Sequence, residues 1–147
     1  MSARRKAVIA IDHGTKRCGF AVADALRITT KPLDAYHGPG DAPQLLDAVA
    51  KLLVERDVDV FLVGMPFNMD GSAGSRALDV QRFVAALAAR FPNVRVIPYD
   101  ERLTTKAAED MLREAGHRGL DARARRDSWS ALVLLHDWIN SGEPGNG

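Results

Sequence analysis

A fully apolar run near the start of the chain, which ends in a carboxylate, most constrains the fold. The run is Ala7-Val8-Ile9-Ala10-Ile11, and Asp12 follows it directly. Because every position is apolar, the segment suits a strand that is covered on both faces at the centre of a sheet. An acid at the end of such a strand is costly unless it is compensated. Either hydrogen bonds from the glycine-bounded loop 14–19 or a bound cation could compensate it.

Two further strands are expected soon after this loop. Residues 20–23 form a second apolar run, which returns to Asp24, and a short run around 28–30 predicts a third strand, which Pro32 confines to a sheet edge or a strand end. Three short strands in succession indicate an antiparallel meander.

The middle of the chain then alternates between helical and strand patterns. One helix is expected from Asp41, as N-cap, to about Arg56, and an apolar strand at 58–63 follows it. A second helix is expected over 77–91, and an apolar strand at 94–99 follows that one. Each helical crossover makes the next strand parallel to the first. The sequence therefore predicts an α/β fold with a mixed five-stranded sheet, three antiparallel strands followed by two parallel crossovers, flanked by helices. One further helix is expected over 104–116, and a last one opens at Asp127.

The chain length of 147 residues predicts a single domain, which we assign to 1–140, followed by a frayed, Gly/Pro-rich tail at 141–147. The single Cys18 excludes an internal disulfide, and no Cys/His grouping has zinc spacing. The N-terminus lacks the pattern of a signal peptide, and no segment has the length of a membrane helix. These features predict a cytoplasmic protein without membrane contact.

Three carboxylates are expected at one edge of the predicted sheet. Asp12 and Glu101 follow strands that should be parallel. Asp127 is spaced to lie on the same face of the last helix as its apolar residues Ala131, Leu134 and Trp138. Clustered acids repel one another unless a divalent cation joins them, and oxygen ligands suit Mg²⁺ or Mn²⁺. Taken singly, Asp12 could end a strand, Asp127 could cap a helix, and Glu101 could pair with Arg102.

Basic and polar side chains near this edge are candidates for binding nucleic acid. Lys16 and Arg17 follow Asp12 closely, although a hairpin tip is often basic for solubility alone. The loop after the fourth strand contributes Asn68 and Arg76, which could equally be parts of a structural turn. The remaining candidates are Arg102 and three arginines in the connector before Asp127, namely Arg123, Arg125 and Arg126.

Four segments resemble the bacterial RuvX/YqgF family. They are AIDHGTKRCGFAVA (10–23), VGMPFNMDGS (63–72), DERLTT (100–105) and DSWSA (127–131). The resemblance implies an RNase H-like fold and a nuclease linked to maturation of the 5′ end of pre-16S rRNA; an older interpretation of the family is a Holliday junction resolvase. It also implies an acidic catalytic triad at Asp12, Glu101 and Asp127, which are the three acids expected at one edge of the sheet.

The hypothesis from the sequence is a nuclease that holds Mg²⁺ or Mn²⁺ on Asp12, Glu101 and Asp127 and hydrolyses phosphodiester bonds in RNA or DNA. One alternative is a Holliday junction resolvase, which would require a homodimer. The alternative from another class is a nucleic-acid-binding or ribosome-assembly factor without catalysis, which would show salt-sensitive binding and no cleavage.

Overall fold

A mixed sheet of five strands runs through the centre of the protein. The computed structural model describes residues 5–103, 106, 110, 113 and 122–146. Its strands are β1 (Ala7–His13), β2 (Arg17–Ala23), β3 (Thr30–His37), β4 (Val58–Met65) and β5 (Arg95–Asp100), in the order β3-β2-β1-β4-β5. β2 pairs antiparallel with β1 and β3, whereas β4 pairs parallel with β1 and β5. This topology confirms the predicted sheet, with β3 at an edge, but β3 begins at Thr30, where the predicted strand 28–30 ends, and it includes Pro32.

Helices cover both faces of this sheet. Those with described bounds are α1 (Pro43–Val54), α2 (Ser75–Arg90), α3 (Ala122–Asp127) and α4 (Trp129–Asn140), and a 3₁₀ turn, Glu101–Leu103, follows β5. The helix predicted over 104–116 lies largely outside the described residues. Ile9 and Ile11 of β1 pack with α1 and α2, whereas Val8 and Ala10 pack with α4. β1 is therefore apolar at every position because successive side chains serve opposite faces. Among the described residues, no helix is long and apolar enough to cross a membrane.

The last helix begins two residues later than the sequence predicts. Asp127 ends α3 and does not open α4, whose N-cap is Ser128. The buried Ser128 hydroxyl accepts a hydrogen bond from the Phe20 amide at 3.1 Å and donates one to the Leu33 carbonyl at 2.6 Å. These are tertiary contacts with β2 and β3, which a local capping pattern does not reveal. The predicted inward stripe is buried as expected: Ala131, Leu134 and Trp138.

The C-terminal residues 141–146, for which the sequence predicts a frayed tail, contact the rest of the domain. The Glu143 side chain is buried, and its carboxylate accepts hydrogen bonds from Arg27 Nε at 3.0 Å and Nη2 at 3.1 Å. The indole of Trp138 donates to the Pro144 carbonyl at 2.9 Å. Gly142 has a positive φ of 84°, which allows the chain to turn back toward the sheet.

Candidate active site at the carboxyl edge of the parallel strands

Two acidic side chains meet at the ends of β1 and β5. Asp12 is the last residue but one of β1, and Glu101 follows β5 directly. β4 lies between these strands and carries Gly64 next to Glu101: a Cβ atom at Gly64 would lie 2.5 Å from Glu101 Oε1. The absence of a side chain at this position therefore makes room for the Glu101 carboxyl group to reach Asp12, with which it forms a hydrogen bond.

This contact changes the protonation of Glu101. Burial, followed by the charge of Asp12 and the hydrogen bond to it, raises the pKa of Glu101 to about 7, while the Arg76 guanidinium acts in the opposite direction. Near neutral pH a large part of Glu101 is therefore protonated, and its O–H donates to Asp12. A divalent cation could replace this proton, because it would neutralise both carboxylates at once.

The third predicted acid, Asp127, faces basic side chains. Its carboxylate lies 3.4 Å from Arg17 Nη1, 3.4 Å from His37 Nε2 and 3.4 Å from Arg126 Nε. Burial alone would raise the pKa of Asp127, but Arg126, Arg17 and His37 outweigh it and hold the pKa below its usual range. Asp127 is therefore ionised at neutral pH and held by three side chains that can carry positive charge.

Asp127 nevertheless lies only one strand away from Asp12. Gly19 of β2 is the register partner of Asp12, and a Cβ atom at Gly19 would lie 2.9 Å from the backbone oxygen of Asp127. Over the ranges that the structure describes, no three acidic, histidine or cysteine side chains are grouped closely enough to hold one metal ion. The structure thus joins Asp12 to Glu101, and the three-acid ligand set stays a prediction.

The predicted nucleic-acid-binding residues fall into two groups around the acidic pair. Lys16, Arg17 and Arg126 lie on the β2 side, with Lys16 exposed and the other two directed at Asp127. Arg123 and Arg125 belong to α3, but their side chains lie outside the described part of the chain.

The second group follows β4 in the chain. Arg76 donates to the backbone oxygen of His13 at 2.6 Å, so it is fixed beside the acidic pair. Arg102 folds back onto Asp100, with Nη2 2.7 Å from Oδ2. The Asn68 amide donates to Ser72 Oγ at 3.0 Å within a tight turn. The contacts of Asn68 thus match the structural alternative that the sequence left open.

Sequence reasoning did not assign a role to His13, which the structure places in the wall of this site. The ring is buried, stacks on Phe83 with centroids 4.7 Å apart, and has Nε2 2.9 Å from the Gly40 carbonyl. Arg76 Nη2 lies 3.4 Å from Nδ1, and because arginine only donates, we infer that Nε2 carries the hydrogen. His13 therefore links the end of β1 to α2 and to the loop before α1. In the sequence, the position of His13 directly after Asp12 is the feature that indicates its closeness to the site.

Solved structures share this architecture. Thermus thermophilus RuvC in complex with a Holliday junction substrate superimposes with a TM-score of 0.58 and 18% identity, covering 94% of this chain and 97% of that one. The fowlpox virus Holliday junction resolvase gives a TM-score of 0.55 and 14% identity, covering 92% and 98%. At such identities the likeness shows the fold alone, which is RNase H-like.

Other relatives share a considerably higher sequence identity with this chain than these solved structures do. A protein of an Anaeromyxobacter species is 38% identical over 133 residues, 90% of this chain and 95% of its own length. One from Acetivibrio thermocellus is 33% identical over 134 residues, 91% of this chain and 95% of its own length. Both are named as candidate pre-16S rRNA nucleases. Residues 6–141 match the family model described as "RuvX: Holliday junction resolvase". Because that match spans nearly the whole chain, the protein belongs to the RuvX family.

Proposed function

We propose that this protein is a divalent-metal-dependent nuclease that processes the 5′ end of pre-16S rRNA in the cytoplasm. The observation that carries the proposal is the contact between Asp12 and Glu101 at the carboxyl edge of parallel strands, where ligand sites of open α/β sheets are found. The names of the relatives support rRNA as the substrate.

Asp12 and Glu101 would hold the cation, since they offer adjacent hard oxygen donors that suit Mg²⁺ or Mn²⁺. When bound, such an ion lowers the pKa of a water molecule and neutralises charge on the phosphate. Asp127 would complete the ligand set by turning from Arg17 and His37 toward Asp12. Its low pKa favours this role, because the carboxylate needs no deprotonation before it binds a cation.

The basic side chains would hold the nucleic-acid backbone. If Asp127 moves, Arg17, His37 and Arg126 lose their carboxylate partner and become available to phosphate oxygens, with Lys16 beside them. We assign the same role to Arg123 and Arg125 on α3 and, beyond β4, to Arg76, Arg102 and Asn68. Phosphate contacts of this kind position a strand without reading its sequence and weaken as salt rises.

The test is cleavage by the full chain with Mn²⁺ of labelled single-stranded RNA, single-stranded DNA and a four-way DNA junction. We expect cleavage of RNA that is lost in Asp12→Asn and kept in Asp34→Asn, a control that changes an exposed acid of β3. An unchanged rate in Asp12→Asn would refute the acidic pair as the catalytic centre. Salt-sensitive binding without cleavage at any metal concentration would favour the non-catalytic binding factor.

The same assay addresses a second candidate, a Holliday junction resolvase, which the description of the family model favours. Resolution requires two sites acting on two strands, and therefore a homodimer with twofold symmetry. Paired symmetric cuts in the junction, together with a dimer in sedimentation equilibrium, would support resolution over rRNA processing.

A further inference from the structure

A cavity of about 620 Å³ lies beside the acidic pair, between the β1–β2 loop, the start of α1 and one face of α2. Its volume is within the range of roughly 300 to 1,000 Å³ that is typical of small-molecule sites. His13 and Arg76 line the cavity, and both also adjoin the acidic pair: His13 follows Asp12, and the charge of Arg76 acts on Glu101. A ligand in the cavity would therefore lie next to the proposed reaction centre.

One wall of the cavity is apolar. It is formed by side chains of α1 and α2, among them Pro43, Leu46, Phe83 and Ala86. Phe83 is buried against His13, so the apolar surface open to a ligand is that of Pro43, Leu46 and Ala86. Apolar side chains of this kind can cover the flat face of an unpaired base, which gains from leaving water.

The rest of the lining is polar, and part of it lies on the same helix as Phe83 and Ala86. Arg76 and Arg82 both form ion pairs with Asp79, at 3.3 Å and 3.0 Å, so one carboxylate is shared between two guanidinium groups. The four charged residues of the lining balance formally, Arg76 and Arg82 against Asp41 and Asp79, and the N-terminus of α1 contributes partial positive charge there, since its N-cap is Ala42, which has no capping side chain, and not the predicted Asp41. Asp41 and Thr15, also in the lining, offer hydrogen-bonding groups for the edge of a base.

We propose that this cavity binds one unpaired nucleotide of the substrate strand, with the base on the apolar wall and a phosphate at Arg82 and Arg76. The inference rests on the proposed nuclease function, which makes a nucleic-acid strand the occupant. A paired base cannot leave its stack to enter a concave site without losing its partner. The cavity thus selects single-stranded or splayed substrates over a continuous duplex.

The test uses the full chain in EDTA, so that neither metal binding nor cleavage contributes. Backbone amide NMR spectra are recorded during titration with nucleoside 5′-monophosphates and, in parallel, with inorganic phosphate. We expect saturable shifts around Phe83 and Leu46 with the nucleotides at millimolar concentration and much weaker shifts with phosphate. Arg82→Gln should weaken nucleotide binding about tenfold, and Ala86→Trp, which fills the cavity, should abolish it. Arg90→Gln is the matched control, since Arg90 is also on α2 but pairs with Asp47.

Three results would overturn the inference: no saturable nucleotide shifts, equal affinity for phosphate alone, or equal weakening by Arg82→Gln and Arg90→Gln. The failure of the nuclease proposal would look different, since it would leave the nucleotide titration intact and abolish only metal-dependent cleavage.

Discussion

Glu101 hydrogen-bonds to Asp12 across the end of β4, at the position where Gly64 leaves room for its side chain. Two acids from separate strands are thereby held together in a partly buried place, which is unfavourable when both are ionised. The fold tolerates the contact because Glu101 can take up a proton. The same arrangement makes the pair ready to bind a cation.

Without divalent cations, the stability of the protein should fall as pH rises from 4.5 toward 7. The pKa of Glu101 is about 7 in the folded protein against 4.5 in the unfolded chain, so the folded state binds more protons over this interval. Allowing for screening of a partly exposed group, we expect a loss of about 1–2 kcal/mol. Urea unfolding in EDTA across this range should show a flatter pH dependence for Glu101→Gln than for wild type. Glu55→Gln, at an exposed position, should behave like wild type.

Gly64→Ala should impair metal binding more than folding. The new Cβ would lie 2.5 Å from Glu101 Oε1 and 2.9 Å from Cγ, and the flexible Glu101 side chain is the part that can move. We expect a stability change in EDTA below about 1 kcal/mol and a cleavage rate at least about tenfold lower. Thermal unfolding with and without Mn²⁺ measures the effect on the metal. We expect Mn²⁺ to raise the Tm less in Gly64→Ala than in wild type. If Gly64→Ala caused the same reduction in a protein that already carries Glu101→Gln, Glu101 would not be the group displaced.

Ser128→Ala should destabilise the protein by about 2–3 kcal/mol, because the Phe20 amide and the Leu33 carbonyl would both lose a buried partner. Ser130→Ala provides the control, since Ser130 is exposed on the same helix. Urea unfolding measures both variants. Similar small effects for the two serines would show that the bridge from Ser128 to β2 and β3 contributes little.

Glu143→Gln should cost about 3 kcal/mol, because it leaves the Arg27 guanidinium, only 8% exposed, without its charged partner. The double variant Arg27→Met with Glu143→Met should recover part of this loss, since it removes both buried charges. Asp47→Asn breaks the exposed Asp47–Arg90 pair and should cost less than about 1 kcal/mol. A loss as small in Glu143→Gln as in Asp47→Asn would mean that residues 141–146 are not held by this ion pair.

The predictions from sequence succeeded where the physics is local. The alternation of strand and helix patterns predicted the five strands and their directions, since a helical crossover imposes a parallel neighbour. They failed at the start of the last helix, which Asp127 does not open, and they did not foresee the contacts of the C-terminus. The helix break at Ser128 depends on bonds to Phe20 and Leu33, and the packing of residues 141–146 depends on Arg27, which is distant in sequence.

By itself, the sequence determined the sheet and the family, because periodicity and short motifs carry that information, and it predicted three acids at one edge of the sheet. Only the tertiary structure decided which groups touch: Glu101 reaches Asp12 past Gly64, whereas Asp127 meets Arg17 and His37. Side-chain direction at the end of a strand depends on the volume and charge of neighbours from other elements, and no local pattern encodes these.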